Sequence, residues 1–193
     1  MRSLIIRPIQ AGFTLVELLI VVIIIAVLAA IVVPQFTSAT IDAQEAALDA
    51  NLAAMRSAIE LYRAQHNNVY PGANVSNGGT CTVGVPGTGA TGGAGGQQAF
   101  MDQLLQYSNA TGQTCTGADS NFKYGPYFRK GIPADSITGK GAVAAEITVT
   151  AAGTPLAPAA ATGGWAYDTK SGQIVMNSNA LDSKKTTIKY SDH

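Results

Sequence analysis

Residues 12–34 read GFTLVELLIVVIIIAVLAAIVVP, and everything else in the chain is placed relative to this stretch. From Phe13 to Val33 it holds one charged side chain, Glu17, in an otherwise uncharged run of 21 residues. A helix of that length covers about 30 Å at 1.5 Å per residue, enough to cross a hydrocarbon core. A carboxylate in such a segment costs roughly 2.5–3.5 kcal/mol at mid-bilayer and less near the interface, so Glu17 is expected to have a job and a partner. Residues 1–12 carry Arg2 and Arg7 and no acid, a balance that holds this end in the cytoplasm. A secretory signal fits poorly, because its small-residue cleavage site would follow the apolar run and this run is too long for an h-region.

The longer stretch GFTLVELLIVVIIIAVLAAIVVPQF, residues 12–36, resembles the class III signal of type IV pilins and of the pseudopilins of type II secretion. The resemblance is close over about 25 residues and looser to about Asn67. It implies a dedicated prepilin peptidase that cuts between Gly12 and Phe13, methylates the new N-terminus at Phe13, and leaves the apolar segment on the mature protein. Glu17 becomes the fifth residue of that mature chain, and Pro34 falls where the family commonly has a helix-perturbing proline. The alternative is a plain signal anchor with a chance glutamate.

Beyond Pro34 the chain reads QFTSATIDAQEAALDANLAAMRSAIELYRAQHNN. Apolar residues recur at Ile41, Leu48, Leu52, Met55, Ile59 and Tyr62, the stripe of an amphipathic helix. Alanine fills much of the rest and favours helix. His66-Asn67-Asn68 and then Pro71 end it. A continuous helix from Phe13 to Gln65 would be roughly 80 Å long, its first half in the membrane and its second on a small head. Pro34 lacks a backbone donor and clashes with the preceding turn, so a kink or a locally melted stretch is predicted near residues 30–36.

Residues 72–97 are dominated by Gly, Thr, Val and Asn, with too little apolar surface to order themselves without help. GTGATG at 87–92 matches G-x-G-x-x-G literally but follows no core strand, so a flexible surface loop is predicted there rather than a nucleotide site. Gln97–Tyr107 is predicted to be a short amphipathic helix with Phe100, Leu104 and Tyr107 on one side. Cys81 and Cys115 bracket both features and would most simply form one disulfide in an exported head. Two free thiols or a metal pair are the alternatives, and with only His66 and His193 to add, the metal set is poor. Short β-branched or aromatic runs at 142–150, 164–168 and 172–176, with a further run at 186–190, predict strands. Residues 168–172 are a hairpin turn between two of them.

The fold class is therefore α+β: a long N-terminal helix, transmembrane in its first half, packed against a small antiparallel β-sheet head of pilin-like form. The chain divides into a cleaved leader (1–12), a transmembrane and filament-core helix (13–33), the exposed half of that helix (34–67), and a head (68–193) with a Gly-rich loop at 84–96. GPYFRKGIP (125–133) and GGWAYDTKSGQI (163–174) also resemble the head of major pseudopilins. The chain departs from them in an insertion at 139–162 and lacks the acid-rich loop by which they hold calcium. Asp119 and Asp168 are too isolated in sequence to replace it, so no metal site and no cofactor is expected.

Lys+Arg and Asp+Glu are 12 each; without Arg2 and Arg7 the balance is 10 against 12, a formal charge near −2. That excludes a general nucleic-acid footprint, and the one basic cluster, Lys184, Lys185 and Lys189, reads as a solvated face. No nucleophile stands beside a positioned histidine, so no enzyme is expected. The resemblance implies a structural subunit of a type IV pilus-like filament, a homo-oligomer served by the peptidase and an inner-membrane assembly platform. Before assembly it would cross the inner membrane once, N-terminus cytoplasmic and head periplasmic, and then join a surface pilus or a periplasmic pseudopilus. A type II secretion pseudopilin, moving folded proteins across the outer membrane, is the near alternative; a minor tip subunit that binds something is a further one. In a fibre, Glu17 is expected to pair with a neighbour's N-terminal ammonium at Phe13; the bland reading is that it caps its own helix.

Overall fold

The computed structural model describes residues 12–91, 93–183 and 187–193. The leader's Arg2 and Arg7, Gly92 of the GTGATG stretch, and Lys184 and Lys185 of the basic cluster lie outside the described residues. The architecture is α+β, in the order α1 (Leu15–Gln65), α2 (Gly93–Leu105), β1 (Tyr107–Ser108), β2 (Thr114–Cys115), β3 (Ile147–Thr150), β4 (Trp165–Asp168) and β5 (Ile174–Met176). Short 3-10 turns at Ala144–Glu146 and Tyr190–Asp192 complete it. The fold separates into two compact units at Asp42/Ala43.

In the first unit α1 runs without interruption through Pro34. The melted stretch predicted near residues 30–36 is absent. Proline still removes the donor that the Ala30 carbonyl would otherwise use. On either side of the ring, hydroxyls bond back to the helix: Thr37 Oγ1 donates to the Val33 carbonyl at 3.1 Å and Thr40 Oγ1 to the Phe36 carbonyl at 2.8 Å.

In the second unit the remainder of α1 buries Leu48, Leu52, Met55, Ala58, Ile59 and Tyr62. They pack with Phe100 and Leu104 of α2, Ile147, Trp165, Tyr167, Ile174 and Met176 of the sheet, Ile132 from a loop and Tyr190 of the last 3-10 turn, as one core. The helix ends where expected: Asn67 and Asn68 take positive φ (54° and 64°), and Asn68 N–H bonds back to the Arg63 carbonyl. Asparagine tolerates this left-handed region better than most side chains.

β1 and β2 pair antiparallel, and β4 and β5 form an antiparallel hairpin with Trp165 opposite Met176. β3 joins β4 in parallel, Ile147 opposite Trp165. A parallel neighbour needs a crossover of a dozen or more residues, and residues 151–164, which take in the second half of the insertion at 139–162, supply it. The run at 142–150 begins as a 3-10 turn and becomes strand only at Ile147. The strand predicted at 186–190 begins outside the described residues. Lys189 makes an isolated bridge with Leu181, and Tyr190 opens a 3-10 turn.

The predicted flexible loop at 87–91 is instead pinned. Buried Asp102 of α2 accepts from Ser76 Oγ (2.6 Å) and from the main-chain N–H of Thr88 (2.9 Å) and Gly89 (3.1 Å). Gln98 and Gln106 donate to its other oxygen. A Cβ at Gly89 would overlap the main-chain nitrogen of Ala99, so only glycine lets the loop lie this close to α2. The order that the apolar content could not give comes from hydrogen bonds, those to the buried Asp102 carboxylate together with main-chain bonds from Ser76 and Asn77 to Gly89 and from Gly87 to Thr114.

Candidate functional site

The N-terminal segment starts with Gly12, Phe13 and Thr14, all exposed and outside the helix. Thr14 is the N-cap. Its Oγ1 accepts from Glu17 N–H at 3.2 Å, while Glu17 Oε2 accepts from Thr14 N–H at 3.3 Å and Thr14 Oγ1 at 3.1 Å. This reciprocal pair is a capping box, which satisfies two of the orphan donors at the helix start and sets a negative charge on its positive end. In the single chain Glu17 therefore takes the capping role. Thr14, three residues before Glu17 and directly ahead of the apolar run, was the sequence signal for it.

Every large apolar side chain from Leu15 to Phe36 is exposed; Phe13 is 80% and Leu15 87% accessible. A helix this long and apolar is able to cross a membrane. So much contiguous apolar surface on a chain whose other half has its own core calls for lipid or for copies of itself.

The head carries the other singled-out residues. Cys81 and Cys115 form a disulfide. Beside it Asp119 accepts from the N–H groups of Phe122, Asn121 and Thr82 and from the Thr82 hydroxyl. The Phe122 amide leads these bonds in lowering its carboxyl to about 2.

Asp168, at the end of β4, is fully buried. Its Oδ1 accepts from Thr150 Oγ1 (3.1 Å), Ala152 N–H (2.7 Å) and Gly153 N–H (3.2 Å). Its Oδ2 accepts from Gly153 N–H (3.1 Å) and from the N–H and hydroxyl of Ser171 (both 2.8 Å). Burial pushes this carboxyl up, but the amides of Ser171 and Gly153 with the two hydroxyls overcome it and hold it at about 2. One carboxylate thus ties the start of the 151–164 crossover to the β4–β5 turn. Asp135 does similar work, accepting from Ile137, Thr138 and Gly164 N–H.

A calcium ion does not fit at Asp168. Asp168 already accepts from donors on both oxygens, and N–H groups repel a cation. Among the described residues no group of three or more His, Cys, Asp or Glu is placed to hold a metal ion. The sequence made these aspartates look isolated because their partners are backbone amides. The available signal was Asp followed two or three residues later by Ser, Thr or Asn, the mark of a side-chain-closed turn.

His66 is buried and stacks on Tyr62 with ring centroids 3.7 Å apart. Its Nδ1 lies 2.8 Å from the Tyr62 carbonyl, so Nδ1 carries the proton and Nε2 accepts from Ser108 Oγ at 3.0 Å. Burial lowers its pKa, against smaller opposing effects of the Tyr62 and Asn109 backbones. The Gly125–Pro126 bond is cis, and Tyr127 beyond it donates its hydroxyl to Gln65 Oε1 at 2.6 Å. Trp165 Nε1 donates to the Pro133 carbonyl at 2.9 Å. The two pseudopilin-like stretches thus meet in the core as packing elements.

Comparison with known proteins adds the following. The prokaryotic N-terminal methylation motif matches residues 7–33. The type IV narrow pilus major component PilA5 of Thermus thermophilus is 47% identical over 58 residues, 30% of this chain and 50% of that protein. The type II secretion system core protein G of Pseudomonas aeruginosa is 39% identical over 62 residues, 32% of this chain and 43% of that protein. The chain thus spans about half the length of these curated relatives. No solved structure matches it. Over its N-terminal third, this chain is thus similar to type IV pilins and to type II secretion pseudopilins.

Proposed function

We propose that the chain, processed between Gly12 and Phe13, is a non-enzymatic structural subunit of a type IV pilus-like filament. The observation that carries this reading is the wholly exposed apolar helix after Phe13, closed at its start by the single carboxylate Glu17. In the membrane the capping box satisfies Glu17. In a fibre the helices pack side by side, and a neighbour's N-terminal ammonium at Phe13 becomes its counter-charge. That contact is heterologous, so repeating it builds an open helical polymer rather than a closed ring. Apolar burial along Phe13–Val33 contributes at most about 25 cal/mol per Å², an upper figure because the segment leaves lipid rather than water. Pro34 gives the helix a place where hydrogen bonding is already weakened if packing demands a change of shape. The prepilin peptidase and an inner-membrane assembly platform are the implied partners, with the head periplasmic before assembly.

The second reading is a pseudopilin of a type II secretion system. The GPYFRKGIP and GGWAYDTKSGQI stretches and the likeness to core protein G favour it. Glu17→Ala tests the filament reading common to both: the variant should reach the membrane in normal amount and be lost from fibres. Wild-type fibre yield would refute the assembly role of Glu17 and leave only its cap. Recovery of wild-type chain in the sheared surface fraction supports the pilus. Retention in the periplasm supports the pseudopilus.

A further inference from the structure

Residues 76–81 run between two fixed points on the head. At one end the N–H groups of Ser76 and Asn77 both donate to the Gly89 carbonyl, at 2.9 and 3.2 Å, and the Ser76 hydroxyl donates to Asp102 at 2.6 Å. At the other, Cys81 is bonded to Cys115. Between them stands Asn77-Gly78, the chain's one Asn-Gly pair. Asn77 is half-buried and Gly78 exposed. Among the described residues the Asn77 carboxamide holds no hydrogen bond and the Gly78 N–H has no acceptor. Gly78 sits at φ 79° and has no side chain to shield its nitrogen.

The other asparagines are committed. The carboxamides of Asn51, Asn74, Asn177 and Asn179 donate to the Ala134 carbonyl, the Thr111 carbonyl, Thr148 Oγ1 and the Ala159 carbonyl. Asn109 Oδ1 accepts from the N–H groups of Thr111 and Gln113. After Asn67, Asn68 and Asn121 the next nitrogen is already donating, from Asn68 to the Arg63 carbonyl, from Val69 to the His66 carbonyl and from Phe122 to Asp119 Oδ1. Only Asn77 joins a free carboxamide to a free neighbouring N–H.

We propose that Asn77 is a self-modification site, converted without an enzyme to aspartate and isoaspartate. The Gly78 nitrogen gives its proton to hydroxide and attacks Asn77 Cγ. The new N–Cγ bond closes a cyclic imide as the bond from Cγ to the amide nitrogen breaks, and that nitrogen leaves as ammonia. Water then opens the ring. Breaking the N–Cγ bond leaves aspartate, and breaking the original peptide bond leaves isoaspartate, with Gly78 joined through Cγ. Either product places a new carboxylate between the Ser76 clasp and the disulfide. The isoaspartyl form also lengthens the main chain by one methylene. It has no room inward, because a Cβ on Gly79 would already lie 2.8 Å from Phe122 Cζ, so the chain bulges outward at Gly78. A chain that persists thus records its age at this residue. The inference does not rest on the filament reading.

The full chain in detergent micelles, incubated in warm, mildly alkaline buffer made with oxygen-18 water, tests it. The protein is then digested in ordinary water, and the peptides are sequenced by mass-spectrometric fragmentation. Residue 77 should show the amide-to-acid mass shift with one heavy oxygen, in two chromatographic species of equal mass, before any other asparagine converts. Asn77→Gln, which keeps a carboxamide but moves its carbon away from the Gly78 nitrogen, should show no shift at 77 in the same period. Unchanged Trp165 fluorescence shows that the variant folds. Residue 77 still an amide when another asparagine has converted overturns the proposal. So does a single aspartyl product, which would mean direct hydrolysis, or an equal shift in Asn77→Gln.

Discussion

Replacing Asp168 with asparagine removes the charge from the carboxylate that holds the crossover to the β4–β5 turn, with almost no change of shape. Asparagine keeps one acceptor oxygen and turns an NH2 group toward donors, either the Thr150, Ala152 and Gly153 set or the Gly153 and Ser171 set. A carboxyl lowered from 3.8 to about 2 corresponds to about 2.4 kcal/mol in favour of the folded, ionised form. The crossover above Asp168 is largely exposed and water relieves part of the loss, so ~1–2 kcal/mol is the expected cost at pH 7. In a head of this size that is roughly 3–6 °C in melting temperature. The sign follows from the lowered pKa: the contribution is present above the unfolded carboxyl's range near 3.8 and disappears as pH falls through about 2. The gap between wild type and Asp168→Asn should stay constant from pH 8 to pH 5, narrow below pH 4 and be small at pH 2. Fluorescence of Trp165, the chain's single tryptophan, follows the transition from within β4 itself. Equal midpoints at pH 7, or a gap undiminished at pH 2, would refute the reasoning.

Three further outcomes are expected. Reduction, or joint replacement of Cys81 and Cys115 by serine, opens a loop with a sequence separation of 34, about 3–4 kcal/mol on the chain-entropy model. Because Asp102 already pins part of that loop, urea titration should give a smaller loss, and no loss at all would contradict the disulfide's role. Excess EDTA should leave the melting temperature unchanged, and a drop reversed by calcium would show that the donor-filled Asp168 site has been misjudged. His66, buried with a lowered pKa, contributes stability that is complete above the unfolded value of 6.5 and is lost as pH falls below it. The stability gap between wild type and His66→Gln should therefore narrow from pH 7 to pH 5, and a gap that widens would contradict the buried neutral ring.

The parts of the fold legible in the sequence were those written as local pattern. The apolar run 13–33, the stripe from Leu48 to Tyr62 and the Asn67-Asn68 stop each depend on residues a few positions apart, and each appears in the structure. The turn at 168–172 was legible for the same reason, with Gly172 at φ 71° and its N–H on the Asp168 carbonyl. What the sequence hid is long-range. The parallel seating of β3 depends on how a charge-poor crossover lies on the sheet, which no spacing encodes. α2 runs Gly93–Leu105 rather than 97–107, because Tyr107 is drawn into pairing with Cys115 at one end and the Asp102-held loop fixes the other. Asp168 and His193 looked idle because their partners are amides and carboxylates brought from elsewhere in the chain. At the N-terminus the apolar pattern was plain, and the Thr14–Glu17 box shows that the lone glutamate has a partner before any second chain arrives.

The central claim is that Phe13 begins a processed filament subunit. The most direct test is intact mass with N-terminal sequencing of the protein from its native membrane and sheared surface fractions. A chain that begins at N-methylated Phe13 is the expected result. A chain that still begins at Met1, in cells with an active prepilin peptidase, would contradict the account and leave an ordinary membrane anchor in its place.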